Sequence, residues 1–136
     1  MPTPSFLKPE ILNQAVSVAM ASPSKKKVGS ILLKKSKVIA SAVNLDFKTH
    51  PIQYAYGCKV GKPEKAYIHS EIGVLIRARD TADTIVVARV GGHSKIELRC
   101  ARPCSICSAY LKYESKVVHI HYSTDEGFMY EYWGDT

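Results

Sequence analysis

The apolar positions in the first third of the chain follow two different periods. Between residues 9 and 20 they recur every three to four residues behind a proline, which predicts an amphipathic helix. Residues 28–33 and 38–43 are short apolar runs on either side of a basic turn, so we expect them to pair as a β-hairpin. The first part of the chain is therefore predicted as helix, strand, strand.

The second half of the chain alternates between helix and strand patterns. Helical spacing returns over residues 68–79, and a nearly continuous apolar run over 84–90 predicts a buried strand. Residues 104–113, opened by Pro103, predict a third helix, and residues 117–122 predict another strand. Strands joined through helices need crossover connections, so the later strands should run parallel in a mixed sheet with helices on its faces. These patterns predict an α/β fold.

Residues 44–67 show no apolar period, because proline, glycine and aromatic residues interrupt it. We expect a long loop there, which a compact domain usually keeps only for function. Its His50 either borders a pocket or lies at the surface, and its tyrosines either stack on a base or pack the loop onto the body. These tyrosines are Tyr54, Tyr56 and Tyr67.

Length and composition favour one compact domain. The chain has 136 residues, 46% of them hydrophobic, and we expect a domain over 1–136 with a core at 10–122 and an aromatic tail at 123–136. No apolar run approaches the roughly 20 residues that cross a bilayer, and the N-terminus lacks the pattern of a signal peptide. The expectation is a cytoplasmic protein without a membrane partner.

The net charge of +7 favours anionic partners, either the phosphate of a nucleotide or the backbone of a nucleic acid. Much of the excess lies in residues 25–27 and 34–37, which flank one apolar segment. They form either a binding patch or the solvated end of the hairpin. Charge alone does not choose between these partners.

Two short motifs carry the chemistry of the chain. The first contains His69 and Glu71, and the second contains Cys104 and Cys107. One histidine and two cysteines leave the fourth position of a tetrahedral zinc ion open, as in catalytic rather than structural sites. Glu71 supplies a carboxylate that a catalytic site needs as a proton carrier. We therefore predict one catalytic zinc ion held by the histidine and both cysteines.

Two other interpretations of the cysteines remain open. A structural zinc site would recruit Cys100 beside Cys104 and Cys107, and a reducing compartment also permits an unligated dithiol. Cys58 and Cys100 are otherwise expected to be ordinary, partly buried thiols. Structural roles are expected for the histidines that lack ligand spacing to the motifs, which are His93, His119 and His121.

The positions of the motifs suggest how a reaction would run. Both open predicted helices, so the thiols of Cys104 and Cys107 meet the positive end of a helix dipole and should ionise readily. Zinc lowers the pKa of its water to about 7, which makes hydroxide available at neutral pH. Glu71 is then expected to take the water proton and to hand protons to a ring nitrogen and a departing amine.

Together the motifs resemble those of the zinc-dependent cytidine and deoxycytidylate deaminase superfamily, and the order of elements is similar over residues 10 to 122. The resemblance implies a three-layer αβα fold of the cytidine deaminase type with a mixed sheet of about five strands. It implies that His69 and both motif cysteines bind zinc and that Glu71 shuttles protons. It also implies that Asn44, just after the second hairpin strand, holds the sugar of the substrate.

The resemblance implies further substrate contacts beside the metal ligands. Backbone groups near Ser70 and Cys104 would contact the amine, and Pro103 belongs to the same substrate-binding set. Additional candidates for substrate contact are Val28, His50, Tyr67 and Lys26. Candidate phosphate contacts are Ser24, Lys26, Lys27 and the loop at 46–65.

Two positions depart from the pattern of the family. Ser70 stands where alanine is more common, and Gly73 stands where deoxycytidylate deaminases often have asparagine. A glycine inside a helix costs about 1 kcal/mol relative to alanine, so Gly73 indicates close packing or a changed pocket. The motifs therefore define the reaction better than the substrate.

The expected function is zinc-dependent hydrolysis of the amine of a cytosine base, with deoxycytidylate as the first substrate and deoxyuridylate and ammonia as products. One alternative is deamination of a base in single-stranded DNA, RNA or tRNA, and a duplex base would first have to be flipped out. Another is a zinc-stabilised nucleic-acid-binding module without catalysis. The resemblance suggests a homo-oligomer, and the aromatic residues at 128–133 are expected to serve packing or an interface.

Overall fold

The computed structural model describes residues 2–24, 26–45, 51–59, 61, 69–78, 82–91 and 97–134. The helices are α1 (Pro9–Met20), α2 (Pro51–Lys59), α3 (Ser70–Ala78) and α4 (Ser105–Glu114). The strands are β1 (Thr3–Pro4), β2 (Lys27–Lys34), β3 (Lys37–Val43), β4 (Thr84–Gly91), β5 (Glu97–Arg99), β6 (His119–Thr124) and β7 (Gly127–Tyr132). The fold is therefore mixed α/β, as the sequence predicts.

The seven strands of the described residues form one mixed sheet. Six follow the order β1-β7-β6-β4-β2-β3, and β5 pairs with β4 outside this path. β4 and β6 are parallel, with Thr84 opposite His119, whereas β2 is antiparallel to both β3 and β4. The chain reaches β6 from β4 through α4, as a parallel pair requires. The carboxyl ends of β4 and β6 thus meet at one edge of the sheet, beside the start of β2.

Two apolar clusters lie on opposite faces of this sheet. On one face, α3 and α4 pack against alternate strand residues such as Ile85 and Val87. On the other face, Ala15 and Ala19 of α1 pack against intervening residues such as Val86. This arrangement follows the strand period of two, which places successive side chains on opposite faces. Helices therefore cover both faces of the sheet.

α1 crosses β2 at very short range where the strand carries Gly29. A Cβ atom at this glycine would lie 2.4 Å from the backbone nitrogen of Ala19 and 2.8 Å from the carbonyl carbon of Val18. Gly29 also stands opposite Val43 of β3 and Ala88 of β4, so the strand is held on both sides. A residue without a side chain leaves room for the helix at this position.

The predicted helix over residues 9–20, the hairpin and the parallel pairing of later strands are confirmed. The expectation of about five strands is wrong, because β1, β5 and β7 join the sheet. β1 and β5 contain two and three residues, too few to show a period of their own. β7 occupies part of the segment predicted as an aromatic tail and pairs with β6 and β1.

The interval predicted as a long loop contains a helix. α2 begins at Pro51, a favourable first helical residue, and contacts α4. Its described side chains are exposed, and no apolar stripe marks the helix in the sequence. Residues 46–50, 60 and 62–68 of the same interval lie outside the described part of the chain.

None of the helices in the described ranges has both the length and the apolar character needed to span a membrane.

Candidate metal centre

His69, Cys104 and Cys107 meet at the edge of the sheet where β4 and β6 end. Their candidate ligand atoms all lie within 4.8 Å of one another. Nδ1 of His69 is 3.4 Å from Sγ of Cys104 and 3.3 Å from Sγ of Cys107. His69 directly precedes α3, and Cys104 is the N-cap residue of α4. Two helix starts therefore bring the three predicted ligands close enough to hold one metal ion.

The donor set fits zinc. An imidazole nitrogen and two thiolates are ligands that zinc commonly takes, and three protein ligands leave one tetrahedral position for water or substrate. Cys100 lines the adjacent cleft, but it does not belong to the close ligand group found among the described residues. The alternative of a structural site closed by Cys100 therefore receives no support from the geometry.

The two motif cysteines lie in different environments. Cys107 is buried, whereas Cys104 is exposed. A hydrogen bond from Cys107 lowers the pKa of Cys104 to about 3, and a hydrogen bond from His69 adds to this effect. Burial raises the pKa of Cys107 well above its ordinary value. Without metal, Cys104 therefore ionises readily and Cys107 does not, whereas the sequence predicts ready ionisation of both thiols. A bound cation would favour loss of the Cys107 proton.

Glu71 lies in the first turn of α3 and is only 5% exposed. Burial raises the pKa of its carboxyl, and this effect exceeds the lowering caused by nearby His69. The shift is in the direction that a general acid–base group at neutral pH requires. The structure therefore places a protonatable carboxyl beside the metal ligands.

Two buried serines hold the carboxyl group of Glu71. The Ser70 hydroxyl donates to Oε1 of Glu71 over 2.9 Å, and its oxygen lies 2.7 Å from the hydroxyl oxygen of Ser30 on β2. Both serines are 0% exposed. Because the Ser70 hydroxyl donates its one hydrogen bond to Glu71, the hydroxyl of Ser30 must be the donor in the bond between the two serines. The Ser70 side chain is thus bonded to Glu71, and the predicted contact with the substrate amine would come from the Ser70 backbone.

A cleft of about 300 Å³ opens beside the metal ligands. It lies at the edge where β4 ends and β2 begins, and open α/β sheets bind their ligands at this kind of edge. The volume suits a small molecule. Among the predicted residues, the lining includes Lys26, Val28, Asn44, His69, Ser70 and Glu71.

The cleft also has lining residues that the sequence does not predict as contacts. Arg89 lies near the end of β4, and Cys100 and Ala101 follow β5, with Arg102 next to them. A charged residue near the end of an otherwise apolar strand is a signal for Arg89, since it must reach the edge of the sheet to stay hydrated. No comparable signal marks the residues after β5, because their position depends on the pairing of β5 with β4.

Asn44 uses its side chain to hold the segment that enters β2. Its Oδ1 accepts a hydrogen bond from the Ser22 hydroxyl over 2.7 Å and another from the Val28 backbone over 3.0 Å. Its Nδ2 donates to the Lys26 carbonyl over 2.7 Å. Both acceptor sites of the amide oxygen are thus occupied, and one N–H has no partner among the described residues. The sugar contact implied by the resemblance would use that N–H.

The other predicted contacts are distributed around the site. Pro103 is buried, and its carbonyl accepts a hydrogen bond from Ser108 over 3.1 Å instead of joining the described lining of the cleft. Tyr54 is exposed on α2. Outside the described side chains lie His50, Tyr56, Tyr67 and His93.

Two of the candidate phosphate contacts instead donate hydrogen bonds to backbone carbonyls near β2. The Ser24 hydroxyl donates to the Asn44 carbonyl over 3.2 Å, and Nζ of Lys27 donates to the Ser22 carbonyl. Both groups help to shape the segment before β2. Of the three predicted side chains, Lys26 is the one that lines the cleft.

The remaining cysteines and histidines lie away from the ligand group. Cys58 and Cys100 are both exposed, so the expectation that they are partly buried is wrong. His121 is buried and lies 2.8 Å from the Ser5 hydroxyl, and His119 lies 2.8 Å from the Tyr130 hydroxyl. Burial, reinforced by the charge of His119, lowers the pKa of His121 to about 4. These contacts agree with structural roles.

Glu131 on β7 ties the C-terminal strand to the second motif. Its carboxylate accepts two hydrogen bonds from Arg102, at 2.7 and 3.1 Å, one from Tyr122 at 2.6 Å and one from Trp133 at 3.2 Å. The bonds from Arg102 lower the pKa of Glu131 to about 2. Since Arg102 lies two residues before Cys104, this network helps to position the start of α4.

A scan against models of known protein families finds no match for this chain, and a search of curated proteins finds none either. What the structure itself establishes is a His/Cys/Cys group able to hold a metal ion in a mixed α/β fold.

Proposed function

We propose that this protein is a zinc-dependent hydrolase that converts the 4-amino group of a cytosine base to a carbonyl, with deoxycytidylate as its preferred substrate. The resemblance of both motifs to the cytidine and deoxycytidylate deaminase superfamily supports this proposal, and so do helices on both faces of a mixed sheet. The observation that carries it is the buried carboxyl of Glu71 in the same cleft as a three-ligand metal group. A purely structural site gains nothing from a carboxyl whose burial costs free energy.

In the proposed reaction His69, Cys104 and Cys107 would hold zinc, and the chemistry that the ion would supply is a bound water with its pKa lowered to about 7. Glu71 accepts a proton from the attacking water and passes it to the ring nitrogen of the base. Glu71 then takes the second proton, from the new hydroxyl group on C4, and delivers it to the departing amine, so that a carbonyl forms and ammonia leaves. Throughout, the Ser70 hydroxyl keeps the carboxyl oriented, and the Asn44 N–H that has no partner among the described residues would be available to the sugar.

Ammonia release from deoxycytidylate by the zinc-loaded protein tests this proposal. The Glu71→Gln variant should keep its zinc, measured by mass spectrometry of the metal, and should lose about 10²- to 10⁴-fold in kcat. Glu10→Gln is a matched control, because Glu10 is exposed on α1 at the opposite face of the sheet, and it should retain wild-type activity. The proposal fails if zinc-loaded wild type deaminates no cytosine or adenine substrate.

A substrate panel separates the reaction from the identity of the substrate. It should contain deoxycytidine, its 5′-monophosphate, single-stranded DNA and tRNA. Activity on any member supports hydrolytic deamination, and the preferred member identifies the substrate class. Zinc-dependent binding of nucleic acid without release of ammonia would instead support the non-catalytic binding module.

A further inference from the structure

Three cationic side chains line the cleft, and they differ in whether a carboxylate neutralises them. Arg102 donates two hydrogen bonds to Glu131 and is neutralised. The guanidinium of Arg89 and the ammonium of Lys26 contact no carboxylate within the described part of the chain. Among the described residues that line the cleft, Glu71 is the only one with a carboxylate, and it is buried. Within the described residues, the mouth of the cleft therefore carries positive charge that no carboxylate neutralises.

Arg89 is held firmly where it lines the cleft. It is half-buried near the carboxyl end of β4, on the strand face that also carries Val87. Val28, another lining residue, stands directly opposite on β2, and the Arg89 backbone N–H donates to the Ser123 hydroxyl over 2.9 Å. The backbone of Arg89 is thus fixed in the sheet, and its guanidinium offers a planar fork of N–H donors that matches the oxygens of a phosphate.

Lys26 supplies a second cation next to this arginine. It immediately precedes β2, whose first residue pairs with the end of β4. Its carbonyl accepts the hydrogen bond from Asn44, so its backbone is fixed while its side chain is exposed. The pair thus combines a half-buried arginine, able to donate two hydrogen bonds, with an exposed point charge at the rim.

We infer that Arg89, assisted by Lys26, binds the 5′-phosphate of a mononucleotide and makes the cleft select nucleoside monophosphates over free nucleosides. This inference rests on the proposed function, because it places the base at the metal and the phosphate at the mouth of the same cleft. Arg89 is then a specificity-determining residue that lies outside both motifs.

The distribution of the other cations within the described residues favours a terminal phosphate over a polynucleotide. A nucleic-acid groove needs a row of cations that follows the backbone. Here the neighbouring Arg99 is paired with Glu97 over 2.7 Å, and Arg102 is paired with Glu131. The lysines of the hairpin turn lie at the far end of β2, about 23 Å along a strand of seven to eight residues.

Binding of deoxyuridylate and deoxyuridine to the zinc-loaded protein tests the inference without turnover, and isothermal titration calorimetry measures both. Arg89→Gln should weaken deoxyuridylate binding about 10- to 100-fold and change deoxyuridine binding less than about threefold. Arg99→Gln is the matched control, since Arg99 stands opposite Arg89 on β5, outside the cleft lining, and it should change neither. Arg89→Lys should recover part of the affinity, which a folding defect would not allow.

The ratio of kcat/KM for deoxycytidylate and deoxycytidine is the companion measurement, and it should fall in Arg89→Gln by the same factor as the binding preference. Equal losses for both substrates, or no loss for deoxycytidylate, would overturn the inference while leaving deamination intact. Arg89-dependent binding of deoxyuridylate without any deamination would preserve the inference and refute the proposed function. Tighter binding of a single-stranded oligonucleotide than of deoxyuridylate, lost in Arg89→Gln, would also overturn it.

Discussion

Replacing Gly29 by alanine should force α1 away from the sheet. The new Cβ would lie 2.4 Å from the backbone nitrogen of Ala19, whereas carbon and its neighbours pack best at about 3.5–4.0 Å, so the helix must retreat by about 1 Å. The atoms in the way are backbone atoms, which cannot rotate aside. Overpacking of a core costs about 1–3 kcal/mol, and the upper end applies here because α1 also loosens its contact with Val86.

Urea unfolding measures this prediction. With a urea slope of about 1–3 kcal/mol per molar for small proteins, a loss of about 3 kcal/mol lowers the midpoint by about 1–3 M. The matched control is Gly91→Ala on the neighbouring strand β4, where the new Cβ would meet only the Arg99 side chain, at 3.4 Å. That variant should stay within about 0.5 kcal/mol of wild type. If both variants unfold at the same urea concentration, the close approach of α1 does not limit stability.

Two further predictions concern the hydrogen-bond networks around the site. Glu131→Gln should lower the free energy of unfolding by about 1 kcal/mol at neutral pH, a discounted value because Arg102 is 50% exposed. Since the folded pKa of Glu131 is about 2 and its ordinary value is 4.5, denaturant titrations should show this difference above pH 4.5 and its loss as the pH falls towards 2; a difference independent of pH would contradict the ion-pair assignment. Ser70→Ala should cost about 1–2 kcal/mol in the same assay, because Ser30 and Glu71 each lose a hydrogen bond. Ser30→Ala should then cost less in that variant than in wild type, and strict additivity in the double-mutant cycle would show that the hydroxyl groups do not act as a chain.

The elements that the sequence predicts are those in which apolar positions recur with helical or strand spacing over several residues. α1 shows its buried stripe through Ala15 and Ala19, and β4 shows an apolar run between Thr84 and Val90. The missed strands β1 and β5 are defined by their partners instead, since they pair with β7 and β4 over two and three residues. α2 lies in an interval that proline, glycine and aromatic residues interrupt, so the sequence did not indicate a helix there.

The metal ligands are predictable for a similar reason, because short motifs at helix starts contain them. Cys104 and Cys107 share one turn, and His69 stands before another helix, so their chemistry is visible in short stretches of sequence. Ser30 and Arg89 reach the site only through the register of the sheet. Ser30 contacts a residue 40 positions away, and its residue type does not indicate such a contact, whereas the charge of Arg89 indicates the edge of the sheet but not the cleft. The residues that reach the site through the pairing of distant strands therefore could not be predicted from short stretches of sequence.

Asn44 combines a structural role before β2 with a proposed role in binding the substrate. Its amide oxygen is fully used by Ser22 and Val28, and one of its N–H groups fixes the Lys26 carbonyl, so removing the side chain would disturb the proposed sugar and phosphate contacts together. An aspartate there would keep the two acceptors but would place a carboxylate oxygen against that carbonyl, which repels it. Arg89 depends on strand register and not on Asn44. It can therefore be changed without releasing the segment before β2, and its substitution would separate the proposed recognition of phosphate from the proposed recognition of sugar.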